Sequence, residues 1–246
     1  MKKQEYEYMN RLENSHPWFI AKKKFLVFSL NKFVRGQKLK VLDVGCGTGA
    51  ILQLLEDQGY DATGIDFSEI AVDYCQDKKL NVLKGSAEKL IFSDSTFDVI
   101  VAMDLLEHLK NDLVAVEEFR RVLKPGGLAI IAVPAHPSLF SIHDEELQHY
   151  RRYGRKQFLD LFNHGWTVEK ISWIHGLILL PIMFKRFLAK VGFIKGQSSD
   201  VRPVGKITEV VLNVLYKVEL FYYKIFGRLP FGLSLLLVVR KNSHRK

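Results

Sequence analysis

Nine residues, Val41-Leu42-Asp43-Val44-Gly45-Cys46-Gly47-Thr48-Gly49, carry an apolar run into a turn that holds three glycines. Glycine suits such a turn because its backbone bends sharply and lets a ligand approach with no side chain between. Asp66 lies 21 residues after Gly45, at the end of a second apolar run, where a carboxylate can accept both hydroxyls of a ribose. With Ala50 in the last place the turn also fits the dinucleotide pattern Gly-x-Gly-x-x-Gly/Ala, so alone it leaves the adenosine ligand open. A second set of reactive types comes later: Pro134-Ala135-His136-Pro137-Ser138-Leu139-Phe140-Ser141-Ile142-His143-Asp144, then His149-Tyr150-Arg151-Arg152-Tyr153. A histidine is the natural base for a hydroxyl proton near neutrality. His143 and His149 are the candidates, with Asp144 as orienting partner. Arg151 and Arg152, with Tyr150 beside them and Arg155 beyond, offer bidentate sites for phosphate or carboxylate. The competing reading is that Asp144 to Glu146 starts a helix whose acidic face the arginines cover.

These residues need a frame. From Leu39 to Trp173 short apolar runs alternate with helical spacing. Strands are expected at 39–44, 61–66, 80–85, 97–103, 128–133 and 166–173, and helices at 50–58, 68–77, 112–122 and 156–163. Alternation at this pitch argues a doubly wound α/β fold with a parallel sheet and helices on both faces. The ligand crevice then lies beyond the carboxyl ends of the strands, and the histidine loop after the fifth strand overhangs it.

Further segments narrow the ligand. Gly64-Ile65-Asp66-Phe67-Ser68 follows the glycine turn, then Gly85-Ser86-Ala87-Glu88-Lys89-Leu90-Ile91-Phe92. Phe97-Asp98-Val99-Ile100-Val101 follows, with Asp104-Leu105-Leu106-Glu107-His108-Leu109 at its exit, and Leu123-Lys124-Pro125-Gly126-Gly127 closes the series. In this order the five segments resemble the class I S-adenosylmethionine-dependent methyltransferases. The resemblance implies a seven-stranded Rossmann-like methyltransferase sheet with helical cap insertions, its last strand (233–240) antiparallel beside the sixth. It implies S-adenosyl-L-methionine as cofactor, held around Asp43, Gly45, Cys46, Gly47, Gly49, Asp66, Phe67, Ser86, Ala87, Glu88, Asp104 and His108. Asp43 would either meet the methionine ammonium or brace the turn by accepting backbone N–H bonds. His108 is expected as a wall over the cofactor, and Cys46 and Cys75 as small packing residues. Ser86 departs from the pattern, since many such proteins carry Asp there for the adenine amino group. No metal site is read from the sequence.

Composition bounds the rest. The chain of 246 residues is 48% hydrophobic, far too apolar for disorder. Two cysteines exclude a disulfide scaffold and suit a reducing compartment. Nothing apolar follows Lys2 and Lys3, so no secretory signal is expected. The best uncharged apolar run, 174–184, has 11 residues and includes His175, short of the ~20 that span a bilayer. A cytoplasmic protein is expected, peripheral on the inner face of the membrane.

Charge is segregated: residues 1–40 carry a net +7, 41–173 a net −8 and 174–230 a net +6. The basic flanks are also the apolar ones, which suggests an anionic partner with an apolar component. The chain divides into an N-terminal helical lid (1–36), a cofactor-binding core (37–173), an apolar and basic helical insertion (174–230), and a final strand with a basic tail (231–246). The insertion reads as two helices around a polar loop over 196–205. It would face a homodimer partner, form a second small core, or lie in an anionic membrane surface. The flanks and the histidine loop together are similar to methyltransferases of bacterial polysaccharide and glycolipid clusters. That similarity implies O-methylation of a lipid-linked sugar or other anionic, partly apolar acceptor. A soluble small-molecule enzyme acting on a quinone-like phenol, and a non-catalytic cofactor-binding scaffold, are the alternatives. Nucleic acid is not expected, because Met103-Asp104-Leu105-Leu106 lacks the Asn-Pro-Pro-Tyr type of exit.

Overall fold

β1 (Lys40–Val44) is buried from its second residue onward, as a strand must be when helices cover both faces of its sheet. It pairs in parallel with β2 (Asp61–Asp66) on one side and β4 (Phe97–Met103) on the other. β3 (Val82–Lys84) adds to β2, and β5 (Leu123–Pro134) adds to β4, again in parallel. β7 (Ser234–Lys241) then enters antiparallel between β5 and β6 (Trp166–Ile174). The order is β3-β2-β1-β4-β5-β7-β6, the seven-stranded sheet with an inverted last strand that the motifs implied. The chain reverses its winding between β1 and β4, which opens a crevice beyond their carboxyl ends. The computed structural model describes residues 3–36, 38–191 and 204–243. The expected polar loop up to residue 203 and the last three residues of the basic tail lie outside them.

The helices pack in two layers. One core includes Leu52 and Leu55 of α3 (Ala50–Asp57), Val72 and Cys75 of α4 (Glu69–Asp77), and Phe25, Leu26 and Leu30 of α2 (Pro17–Phe33). The other joins Val116 and Phe119 of α5 (Asp112–Val122) to Phe158 of α7 (Arg155–Asp160) and to Phe162 and Trp166. The histidine loop contains a short α6 (Ile142–Glu146) whose N-terminus is boxed by Ser141 and Asp144.

Two features differ from expectation. α1 (Lys3–Leu12) precedes α2 as a helix of its own, amphipathic although only Tyr6 of it is buried. β5 starts at Leu123 rather than 128, taking Gly126 (φ +78°) into the strand beside a register shift at Phe97/Val99. Glu13, buried behind α1, ties this N-terminal layer down: Lys78 donates to it at 2.7 Å, and the Thr48 hydroxyl donates to its other oxygen.

The insertion between β6 and β7 forms α8 (Leu179–Lys190) and α9 (Lys206–Phe226). Tyr216, Glu219 and Tyr223 turn one face of α9 inward. The Tyr223 ring meets Phe25 and Phe28 of α2 edge-on at 4.9 and 5.0 Å. His175, at the root of the insertion, stacks on Trp18 at 3.7 Å and is 3.1 Å from the Tyr216 hydroxyl. The two roots of the insertion cross with no room between them. A Cβ on Gly232 would stand 2.2 Å from the Ile174 carbonyl oxygen, and one on Gly176 2.8 Å from that of Phe231. Gly232→Ala is therefore expected to cost about 1–3 kcal/mol in urea unfolding; an unchanged midpoint would contradict the crossing.

Candidate active site

The cradle begins where β1 ends. Gly45, Gly47 and Gly49 have φ of +72°, +54° and +94°, a region that side chains resist. Space is also refused, since a Cβ on Gly45 would lie 2.7 Å from Leu105 and one on Gly47 2.7 Å from Met9 of α1. Asp66 locks this turn to the end of β2: its Oδ2 accepts the Gly47 N–H at 2.9 Å and its Oδ1 the Ser68 N–H at 2.9 Å. Each oxygen keeps a second lone pair, enough for two ribose hydroxyls. Phe67, 80% exposed, and the Ser86-Ala87-Glu88 loop form the rim beside it. The Ser86 hydroxyl already accepts the Glu88 N–H at 3.1 Å.

Asp43 is buried, and its Oδ2 has no hydrogen-bond partner among the described residues. Burial, then the neighbouring Asp66, pushes it up to about 8. The backbone N–H that opposes this shift belongs to Leu52 of α3, not to the glycine turn. An orphaned acceptor lining the cavity suits a cationic group such as an ammonium. The residues present therefore fit S-adenosylmethionine. Cys46 sits 4.0 Å from Cys75, and that neighbour together with burial raises its thiol far out of the nucleophilic range. Gly49 lies outside the cavity wall and instead caps α3, a Cβ there meeting Leu80 at 2.6 Å.

One cavity of about 1600 Å³ runs from this cradle past the exit of β4 to the insertion. At its middle Asp104 adopts a left-handed φ of +56° and forms an ion pair with Lys22 of α2. Burial lowers Lys22 to about 8. Glu107 is fully buried with neither carboxylate oxygen bonded among the described residues, and burial pushes it up to about 8. Beside it burial, then His149, lowers His108 to about 3, so that ring is neutral.

His149 Nδ1 lies 3.0 Å from Asp144 Oδ1. Arg152 Nε donates to the same oxygen at 2.7 Å, and Ser141 N–H to Asp144 Oδ2 at 2.9 Å. Burial alone would raise Asp144; His149, Arg152 and His143 outweigh it and hold the carboxyl well below its usual range. The His143 and His149 rings are 6.4 Å apart, and both line the cavity, as does Tyr150. Arg151 does not line it: the guanidinium donates to Asp112 at 2.9 Å and to the carbonyls of Leu109 and Lys110. Glu107, His108 and His149 each offer an atom within 4.8 Å of the others, a group able to hold a metal ion.

Lys22 and Glu107 escaped the sequence reading. Lys22 carried a signal, since it falls among Ala21, Phe25, Leu26 and Ser29 on the buried face of α2. Glu107 carried none beyond lying between Leu106 and Leu109.

The family described as Methyltransferase domain matches residues 42–131. Residues 42–131 thus form a methyltransferase domain. That domain includes the glycine turn, Asp66, the adenine loop and the β4 exit, so S-adenosylmethionine is its cofactor. Among similar proteins, ubiquinone biosynthesis O-methyltransferase of Rickettsia typhi is 38% identical over 101 residues, 39% of this chain and 41% of that one. The match thus spans about two fifths of that relative's length. Demethylmenaquinone methyltransferase of Bacillus cereus is 29% identical over 163 residues, 60% of this chain and 68% of that one. In fold, a SAM-dependent methyltransferase from Archaeoglobus fulgidus superposes with a TM-score of 0.63 at 20% identity, covering 95% of this chain and 99% of that one.

Two outcomes are expected of this methyltransferase cradle. Asp66→Asn should weaken S-adenosylmethionine at least tenfold in calorimetry; unchanged affinity would remove Asp66 from the site. Asp43, raised to about 8 when folded, keeps a proton that the unfolded chain, near 3.8, has lost. Its contribution to stability is complete below 3.8 and is lost as pH rises through about 8. Thermal midpoints of Asp43→Asn should therefore decline less between pH 5 and about 9 than those of the unaltered protein, and parallel curves would refute the shift.

Proposed function

We propose that the protein transfers a methyl group from S-adenosylmethionine to a hydroxyl oxygen of a phenolic, quinone-type acceptor with an apolar tail. The observation that carries this reading is His149 on the wall of the cavity that also holds the glycine cradle, its Nδ1 3.0 Å from the buried Asp144. Bound S-adenosylmethionine supplies a carbon already activated by its positive sulfur, so the protein's tasks are alignment, exclusion of water and removal of one proton. Nδ1–H of His149 donates to Asp144, which leaves Nε2 as the proton acceptor for the hydroxyl. Arg152 holds Asp144 ionised, and so fixes the ring. Lys22 brings a positive charge from α2 to the same stretch of cavity, where it favours the oxyanion that forms as the proton leaves.

The acceptor class rests on the cavity's far half. Ile178, with Pro181 and Ile182 of α8 and Val211, Leu212 and Leu215 of α9, makes it an apolar sleeve. The names of the ubiquinone biosynthesis and demethylmenaquinone relatives support an acceptor with a phenolic head. The lipid-linked sugar has less support, because the arginines expected to bind an anionic head are engaged: Arg151 with Asp112, Arg152 with Asp144. An acceptor of this kind resides in a membrane leaflet, which favours a peripheral position for the enzyme.

The test is turnover with radiolabelled cofactor and a reduced, hydroxylated quinone precursor. The unaltered protein should label it, and His149→Ala should fall about a hundredfold in kcat with cofactor affinity kept. Full turnover in that variant would exclude His149 as the base; labelling of a sugar lipid instead would overturn the phenolic reading.

A further inference from the structure

α9 has three distinct faces, and only one of them is spent on the fold. Tyr216, Glu219 and Tyr223 pack inward on α2 and on the His175 root. On the opposite side Ile207, Val210, Val214, Val218, Phe221 and Ile225 recur at intervals of three and four residues, which makes one stripe along the helix. This stripe is bare: Ile207 is 83% exposed and Phe221 66%. Leu180 and Phe184 of α8 are likewise exposed, at 70% and 64%. Such a surface exceeds what a monomer scatters over its exterior. Between the two faces runs a line of cations, Lys206, Lys217 and Lys224, set whole turns apart and exposed.

We infer that the bare stripe of α9, with the adjoining surface of α8, seats the protein on an anionic bilayer and opens its cavity to the leaflet. Three observations select a bilayer as occupant. The stripe has a row of lysines along one edge, the arrangement in which apolar side chains enter the acyl boundary while cations stay among anionic headgroups. No helix is long and apolar enough to cross a membrane among the described residues, so α9 lies in the interface. Finally, the surface is continuous with the site: Ile207 and Val211 are exposed, and both also line the cavity. A tail lying in the leaflet can then enter the sleeve between α8 and α9 without crossing water. The aromatic contacts of Tyr223 and the His175–Tyr216 bond hold α9 in the rotation that turns this stripe outward.

The inference rests on the apolar-tailed acceptor proposed above, and its test separates the two. The unaltered protein is sedimented with vesicles of phosphatidylglycerol and phosphatidylcholine, and with phosphatidylcholine alone. It should pellet with the first, weakly with the second, and less as salt rises. Val218→Glu and Phe221→Glu lie outside the cavity wall and are exposed, so thermal midpoint and cofactor affinity should hold while vesicle binding drops about tenfold or more. Turnover should fall with a long-tailed acceptor in vesicles and stay unchanged with a short-tailed, dissolved one. Protein left in the supernatant with anionic vesicles at low salt would overturn the inference. So would a stable dimer that Val218→Glu dissociates, since a second copy would then cover the stripe. Vesicle binding without turnover on any phenol would leave the surface standing and remove the proposed reaction.

Discussion

A single carboxylate couples the two halves of the cofactor cradle. Asp66 grips the Gly47 and Ser68 N–H groups, one per oxygen, and so fixes the glycine turn relative to the end of β2. The turn can exist only with glycine at three left-handed positions, because Leu105 and Met9 press on it from two sides. The pressure from Leu105 comes from the β4 exit, the segment that presents Asp104, Glu107 and His108. The pressure from Met9 comes from α1.

Around this fixed point the protein buries several charged groups on or beside the cavity wall. Lys22, Asp43, Glu107 and Asp144 are all buried, a costly state unless paired or poised for a ligand. Asp144 is fully compensated, by His149, Arg152 and backbone. Lys22 has Asp104. Asp43 and Glu107 keep unbonded oxygens, one at the cradle and one beside the proposed base. The pattern divides the wall into groups that hold the site together and groups left ready for ligand.

Much of the core was legible because parallel strands covered on both faces read as short apolar runs, and each helix between them has its own periodicity. The inverted β7 was legible only through the family resemblance, since an eight-residue apolar strand says nothing of its direction. α1 falls inside the helical stretch expected over 1–36, but its own bounds were not legible: Lys3–Leu12 buries only Tyr6 and turns Met9 and Leu12 to the cavity. The arginine pair illustrates a second limit. The sequence left Arg151 and Arg152 open between binding a ligand and covering the acidic helix over 144–146; Arg152 does pair with Asp144 of that helix, while the acid that takes Arg151, Asp112, comes from α5 and was not legible. The insertion shows a third. Its apolar and basic content was visible, but which apolar residues face inward depends on α2, almost the whole chain away, and on Tyr223 meeting Phe25 and Phe28.

The most direct measurement is a crystal structure of the protein soaked with S-adenosylhomocysteine. The expected complex has both ribose hydroxyls on the Asp66 carboxylate, the amino group at Asp43, and the sulfur facing the gap beside His149. A ligand whose sulfur points away from His149, or whose ribose sits elsewhere than Asp66, would contradict the assignment of this cavity to methyl transfer.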